Sequence, residues 1–391
     1  MGYIKRSSAT SLVGWFILAA ALLSAISVTA YAVTRSGAPK PPKRSLASAV
    51  HGALTAKPVT GVTAQFTVDQ HLLTGNSQTF SSNPLAAGAT GKIWYGGGHV
   101  RLVVKSQLGT TAIAYDGSRV TLYDKKHHVA YVLPVKHHTQ TNDTAKQHSV
   151  PTIADINHAL SQAAKFAVVS GAIPSNIAGR EAYAVHVSPK RNGGLFGEFD
   201  LAWDAARGVP LRFAIYPRGS STAAISITVT HIHFGPVARA ALAVNPPAGT
   251  KIERVHMPSH KAQSANAKRA HVAPATGVAA VSKAVGFSVA APSALAGLPQ
   301  GEVRTVNLGS HPAALVTYGH GLGTVFLLEQ HGTAKESALS SLPTASIAGI
   351  RARELETTLG TLVQWSRGGV TYTVVGSQSA DRIMSAAQSL A

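Results

Sequence analysis

The sequence predicts an α+β chain: a large curled antiparallel sheet carrying two helices, then a smaller α+β domain, all behind one N-terminal apolar span. Three observations predict it. Leu12 to Val33 runs without a charge. From Val62 to Phe234, apolar residues recur mostly at period two, with turn residues between the runs. His256 to Ser282 contains no acid, is rich in Ala, Ser, Lys and His, and separates that region from a second alternating one.

The apolar run comes first in the chain. About 22 helical residues reach roughly 33 Å, near the hydrocarbon thickness of a bilayer. Lys5 and Arg6 precede the run, and Arg35, Lys40, Lys43 and Arg44 follow it. Ala30-Tyr31-Ala32 offers a small-x-small site for signal cleavage. The run is longer than the ~7–15 residues of a signal core, which favours an uncleaved transmembrane helix. Basic residues on both flanks leave the orientation rule weak, and a long domain translocates largely regardless of its own charge. The expectation is a single-pass cell-membrane protein with the bulk of the chain extracytoplasmic. It is secreted instead if the Ala30-Tyr31-Ala32 site is used, and the mature N-terminus, Met1 or Val33, separates the two.

The domains expected are a cytoplasmic head (1–11), the span or signal peptide (12–33), a linker (34–44), the large sheet domain (45–255), a basic linker (256–284) and the small domain (285–391). A 45% hydrophobic share supports a packed core, and the absence of cysteine excludes disulfides, thiol chemistry and cysteine-held metals. The net charge is +19. Nucleic acid is rarely met outside the cytoplasm, so none is expected as partner. Anionic lipid head groups or wall polymers are the more available counterparts, and the bland reading is that diffuse positive charge sets only solubility and surface attraction.

Ser45 caps an amphipathic helix to Thr55, with Leu46, Val50, Ala53 and Leu54 on one face. The strands that follow carry Phe66/Val68, Ile93/Tyr95, Val100/Leu102/Val104, Ile113/Tyr115, Val120/Leu122 and Val129/Tyr131/Leu133. Hairpin signals lie between them at Gly96-Gly97-Gly98, Asp116-Gly117 and Asp124 to His127. Tyr183/Val185/Val187, Phe199/Leu201/Trp203, Leu211/Phe213/Ile215 and Ile225/Ile227/Val229 continue the series. Parity then changes to Ile232 and Phe234, which predicts a bulge near His231. Short connections predict an antiparallel meander.

One helix interrupts the strands, opened by a Thr152 to Asp155 capping box, with Ile153, Ile156, Leu160, Ala163 and Ala167 as its stripe. Both helices are expected to bury their stripes on the concave face of the sheet. In the small domain, strands are expected at Gly286–Ala290, Val303–Leu308, Ala313–Tyr318, Thr324–Glu329, Thr361–Ser366 and Val370–Gly376. A last helix follows the Ser379 cap, with Ile383, Met384, Ala387 and Leu390 inward.

Several of these stretches are familiar. Gly91-Lys92-Ile93-Trp94-Tyr95, Ala114 to Asp124 and above all Leu201-Ala202-Trp203-Asp204-Ala205-Ala206-Arg207-Gly208-Val209-Pro210-Leu211-Arg212 resemble the LolA-like superfamily. With the strand–turn–strand of Val363 to Gly376, the two-domain layout is similar to the RseB/MucB family of periplasmic sigma-factor regulators. The resemblance implies an incomplete β-barrel capped by helices, whose hollow holds acyl chains of lipids or lipoproteins. Phe66, Ile93, Leu102, Ile113, Leu122, Tyr131, Val185, Leu201, Phe213 and Ile227 are the candidates to line it, under a lid helix with Ile153, Ile156 and Leu160. Taken singly, each such residue reads first as ordinary core. The resemblance also implies a regulatory alternative, in which the C-terminal domain docks an anti-sigma factor or another membrane protein. A structural envelope protein without a ligand is a third reading.

No enzyme is visible in the sequence. Neither a GxSxG elbow nor an SxxK occurs, and Gly88-x-x-Gly91-Lys92 is too short for a phosphate loop. No cofactor is expected. The 18 histidines include His127-His128, His137-His138 and His231-x-His233, but adjacent strand residues face opposite ways and no HExxH occurs, so no metal is expected. Glu198/Asp200 and Glu354/Glu356 read as solvated carboxylates.

Overall fold

The computed structural model describes residues 40–74, 88–135, 150–255, 275–308, 311–332, 339 and 342–391. Leu12 to Val33 and the His137-His138 pair lie outside the described residues. Among the described residues, no helix is long and apolar enough to cross a membrane. Most of what is described is β-structure, in two sheets.

The first sheet has 13 strands. Six form a meander: β1 (Gly61–Gln70), β2 (Ala89–Gly96), β3 (His99–Ser106), β4 (Gly109–Tyr115), β5 (Arg119–Asp124) and β6 (Val129–Pro134). After β7 (Ala167–Val169) and β8 (Ile173–Ile177) comes a second meander. It consists of β9 (Arg180–Pro189), β10 (Phe196–Asp204), β11 (Pro210–Pro217) and β12 (Ile225–Phe234). The return of β12 to lie beside β1 joins the two meanders into one curled surface. Its outer strands, β7 and β13 (Lys251–Arg254), do not meet, so the barrel is a half-barrel. The expected meander lacks β7, β8 and β13, and β13 runs parallel to β6.

The hairpins form where the sequence places them. Gly97 and Gly98 take left-handed backbone, and the Asp116 carboxylate accepts from the Ser118 and Arg119 N–H groups. Asp124 does the same for Lys126 and His127. The expected bulge falls at Thr230: Gln65 pairs with His231 while Phe66 pairs with Val229. The extra residue turns Ile232, rather than His231, to the side of Val229.

Helix α1 (Leu46–Leu54) is capped by the Ser45 hydroxyl, which accepts from Ser48 N–H. It packs Leu46, Ala49, Val50 and Ala53 against Tyr183, Val185 and Trp203 of the concave face, while Leu54 stays exposed. The Tyr183 hydroxyl donates to the Pro42 carbonyl at 2.7 Å, so the end of the expected 34–44 linker is held to the sheet. Helix α2 (Ile153–Ala163) carries the expected capping box, yet Ile156 alone of its stripe is buried and Ile153 is 43% exposed. It packs on α1 and β7 instead of sealing the sheet. Ala167 belongs to β7.

The small α3 (Arg239–Leu242) precedes β13. Helix α4 (Val278–Val285) forms inside the expected basic linker. It buries Val281 and Val285, and left-handed Gly286 ends it where a strand was expected. The second sheet runs in the order β14 (Ala294–Leu295), β15 (Leu298–Leu308), β16 (His311–Tyr318), β17 (Val325–His331), β21 (Val370–Gly376), β20 (Gly360–Arg367), β19 (Ile350–Thr357) and β18 (Thr344–Ile347). β18 and β19 were not expected from the sequence. Helix α5 (Ala380–Gln388) covers this sheet with Ile383, Ala386 and Ala387, and its Ser379 cap makes no side-chain bond.

Candidate functional site

The sheet's parity gathers one apolar wall. Val62, Ala64 and Phe66 of β1, Ile93 and Tyr95 of β2, Leu201 of β10, Phe213 of β11, and Ile227, Val229 and Ile232 of β12 share the concave side. They enclose a hollow of about 260 Å³, just below the ~300–1,000 Å³ usual for small-ligand sites. The Thr230 bulge matters here, because in an unbroken strand His231 would stand where Ile232 does. Gly91 is needed on the neighbouring strand. A Cβ there would lie 2.1 Å from the Phe66 ring, so the ring seats only over bare backbone.

Of the expected lining residues, the hollow brings together Phe66, Ile93, Leu201, Phe213 and Ile227. Leu102, Ile113 and Leu122 pack with Phe66 in a buried cluster, with Tyr131 against it. Val185 packs under α1. These five are core, which is what curling does to a sheet: it closes one end by contact and leaves room only where it opens. The lid residues Ile153, Ile156 and Leu160 do not line the hollow.

Sequence reasoning missed a second, larger space. Among the described residues, the two sheets touch at two places. Leu72 and His71 carbonyls accept from the Thr358 N–H and hydroxyl. On the other side, Gly323 N–H donates to the Asn192 carbonyl at 2.6 Å and Leu195 N–H to the Ser377 carbonyl at 3.1 Å. Backbones meet so closely there that a Cβ on Gly194 would stand 2.0 Å from the Ser377 carbonyl oxygen. Beside this contact lies a groove of about 820 Å³ between Phe166, Val187, Phe196 and Phe199 of the first sheet's region and His320 and Leu322 of the second. Phe166 is 74% exposed and Leu322 55%. Lys165, Lys190 and Arg191 rim it. Lys190 N–H holds the Phe166 carbonyl at 2.9 Å, fixing the backbone that carries the ring outward.

Groove and hollow are neighbours. Phe199 lines the groove, Phe213 lines the hollow, and the two rings meet edge to face at 4.9 Å. No periodic signal marks Phe166, which falls between helix and strand, or Leu322, which sits in a glycine-rich turn. Among the described residues, neither space is lined by an arrangement of nucleophile and base. The Glu354/Glu356 pair lies on β19, but the expectation of solvation fails for Asp200, which is buried and hydrogen-bonded by His186.

No protein-family profile and no curated protein matches the chain. Solved structures are similar to it. The crystal structure of MucB in complex with MucA(peri) aligns over 84% of this chain and 90% of that one, at 15% identity and a TM-score of 0.39. The Pseudomonas aeruginosa MucA/MucB complex aligns over 88% and 94%, at 15% identity and a TM-score of 0.38. An uncharacterized conserved protein of Thermus thermophilus aligns over 50% of this chain and 91% of its own length, at 11% identity and a TM-score of 0.30. At such distances no residue role passes from one chain to another.

Proposed function

We propose that this chain is a non-catalytic regulatory protein, anchored by Leu12–Val33 with its bulk outside the cytoplasm. It takes an extended segment of a membrane partner into the groove between its two sheets. The carrying observation is the groove itself: two large apolar side chains held out in water, one on each side of the junction, within a basic rim. Such a surface fits a segment with apolar anchors and acidic flanks, apolar contact supplying affinity and charge steering the encounter. An anti-sigma factor is the partner class the sequence resemblance implies.

Affinity capture from the host's membranes tests this, with the full chain compared against a Phe166→Asp, Leu322→Asp variant. Both side chains are exposed, so folding is spared. Wild type is expected to retain a membrane protein that the variant loses at least about tenfold, the effect of removing anchor residues worth ~1–2 kcal/mol. Identical capture by both ends the reading.

The hollow favours a second reading, in which an acyl chain enters beside Phe213. A fatty acid such as laurate then raises the unfolding temperature by mass action. Ile227→Trp, which fills the hollow at about 1–3 kcal/mol of overpacking strain, abolishes that rise. If no lipid is extracted with the protein and laurate leaves the wild type unmoved, the hollow is only core.

A further inference from the structure

On the convex side of the first sheet, the register pairs His186 of β9 with Asp200 of β10. Ser188 and Glu198, each two residues along, stand on the same face. The imidazole and the two carboxylates converge, with one donor atom of each within 4.8 Å of the others. His186 Nδ1 donates to Asp200 Oδ1 and lies 3.4 Å from Glu198 Oε1.

The outer atoms of the two carboxylates are already engaged. The Ser188 hydroxyl donates to Glu198 Oε2 at 3.3 Å. Asp200 Oδ2 faces the Arg212 guanidinium at 3.9 Å, and that guanidinium is itself held by the Tyr216 hydroxyl at 2.7 Å. The backbone of His186 is clamped as well: its N–H donates to Ser170 Oγ at 2.9 Å, and its carbonyl accepts from Ser170 N–H at 2.9 Å. Partners on the far side of each group therefore turn Nδ1, Oδ1 and Oε1 toward one point. This is the role of the outer groups around metal ligands. A basin of about 810 Å³ opens over that point, leaving room for a further ligand such as water.

We propose that His186, Glu198 and Asp200 form a Zn²⁺ site with its fourth position open to the basin. One nitrogen and two carboxylate oxygens make a donor set that zinc accepts, and three protein ligands plus a solvent position is a common zinc arrangement. In the metal-free protein a proton lies between Nδ1 and Oδ1. Zinc takes its place: the Nδ1 proton leaves to solvent and Nε2 takes one up, so the ligand is a neutral imidazole bound through Nδ1. The two carboxylates make the donor set itself net negative, while Arg212 beside Asp200 and Lys190, Arg191 and Arg218 around the basin oppose a cation, which sets the site apart from a closed structural zinc. The assignment is independent of any partner in the groove.

The test uses the full chain, stripped with a chelator and titrated with Zn²⁺ against a chromophoric competitor. Background from other histidines is removed by comparing variants. Wild type is expected to take up one Zn²⁺ more than His186→Ala. Glu198→Gln, a change at a half-exposed side chain that leaves the fold intact, lowers the affinity by at least about tenfold, and Ser188→Ala lowers it by about tenfold through the oriented Oε2 alone. Mg²⁺ at equal concentration is expected to leave the competitor reading unchanged. Equal Zn²⁺ uptake and affinity in wild type, His186→Ala and Glu198→Gln would overturn the assignment, as would a wild type that takes up none.

Discussion

Asp204→Ala is expected to destabilise the first sheet by about 3–5 kcal/mol, the cost of stripping the partner from buried charge. Asp204 has no exposed surface. One of its carboxylate oxygens accepts from the Ala206 and Arg207 N–H groups at 3.0 and 2.8 Å and closes the turn before Gly208. The other accepts from Arg180 Nε at 2.8 Å. Both guanidiniums, of Arg180 and Arg207, lie over the Phe234 ring at 5.2 and 4.0 Å. Burial, and then Arg180, already draw the Arg207 pKa down, and Asp204 is the group that opposes them. Alanine leaves two like charges against one ring and two N–H groups without an acceptor. Urea unfolding measures the loss, and Asp204→Asn, which keeps an oxygen for the turn, falls between alanine and wild type. A loss below about 1 kcal/mol for alanine would mean that the ion pair is idle.

The second large effect is a pH dependence centred on Glu329. This side chain is wholly buried in the second sheet. Burial pushes its carboxyl up from 4.5 to about 7, against a single lowering contact from Ala290 N–H at 3.0 Å. Among the described residues, its Oε1 has no partner. The buried Tyr318 hydroxyl also lacks one, and the Glu329 charge adds to the burial that raises its pKa. A carboxyl raised on folding binds its proton more tightly in the native state. Its stabilisation is therefore complete below about pH 4.5 and is lost as pH climbs to about 7. At ~1.4 kcal/mol per unit, the loss is on the order of 3 kcal/mol. Glu329→Gln is expected to match wild type near pH 4.5, to exceed it near pH 8, and to flatten the curve between. Unfolding followed at Trp365, buried in the same sheet, reads this out. A slope that persists in the glutamine variant assigns it to another group.

Asp204 shows how much was legible in the sequence. The Leu201 to Arg212 stretch reads as strand, turn and partner strand, and the structure forms them as β10, a Gly208 turn and β11. Nothing in the local pattern says that Asp204 is buried. That depends on Arg180, on another strand, and on Phe234, at the end of β12. Glu329 is similar. It ends the expected strand Thr324–Glu329, and nothing in that run says that the Ala290 N–H will reach it from the segment after α4. Helix α4 was missed because its eight residues sit beside a basic stretch whose composition outweighs a short apolar stripe. β19 was missed because Arg351, Arg353, Glu354 and Glu356 put polar residues on both faces, and β18 because it is only the four residues Thr344–Ile347.

By itself, the sequence determined the strands that alternate cleanly, where the hairpins turn, where β12 bulges, and that apolar surface would collect on one side of a curled sheet. Those follow from local sterics and period, which neighbouring residues carry between them. The tertiary structure alone decided that β12 returns to β1. It also decided that half the apolar wall collapses into core while the rest encloses a hollow, and that Phe166 and Leu322 face one another across the two sheets. It placed His186, Glu198 and Asp200 around one point. Each of these depends on how strands far apart in the chain are brought side by side, and period two cannot say which distant strand will be the neighbour.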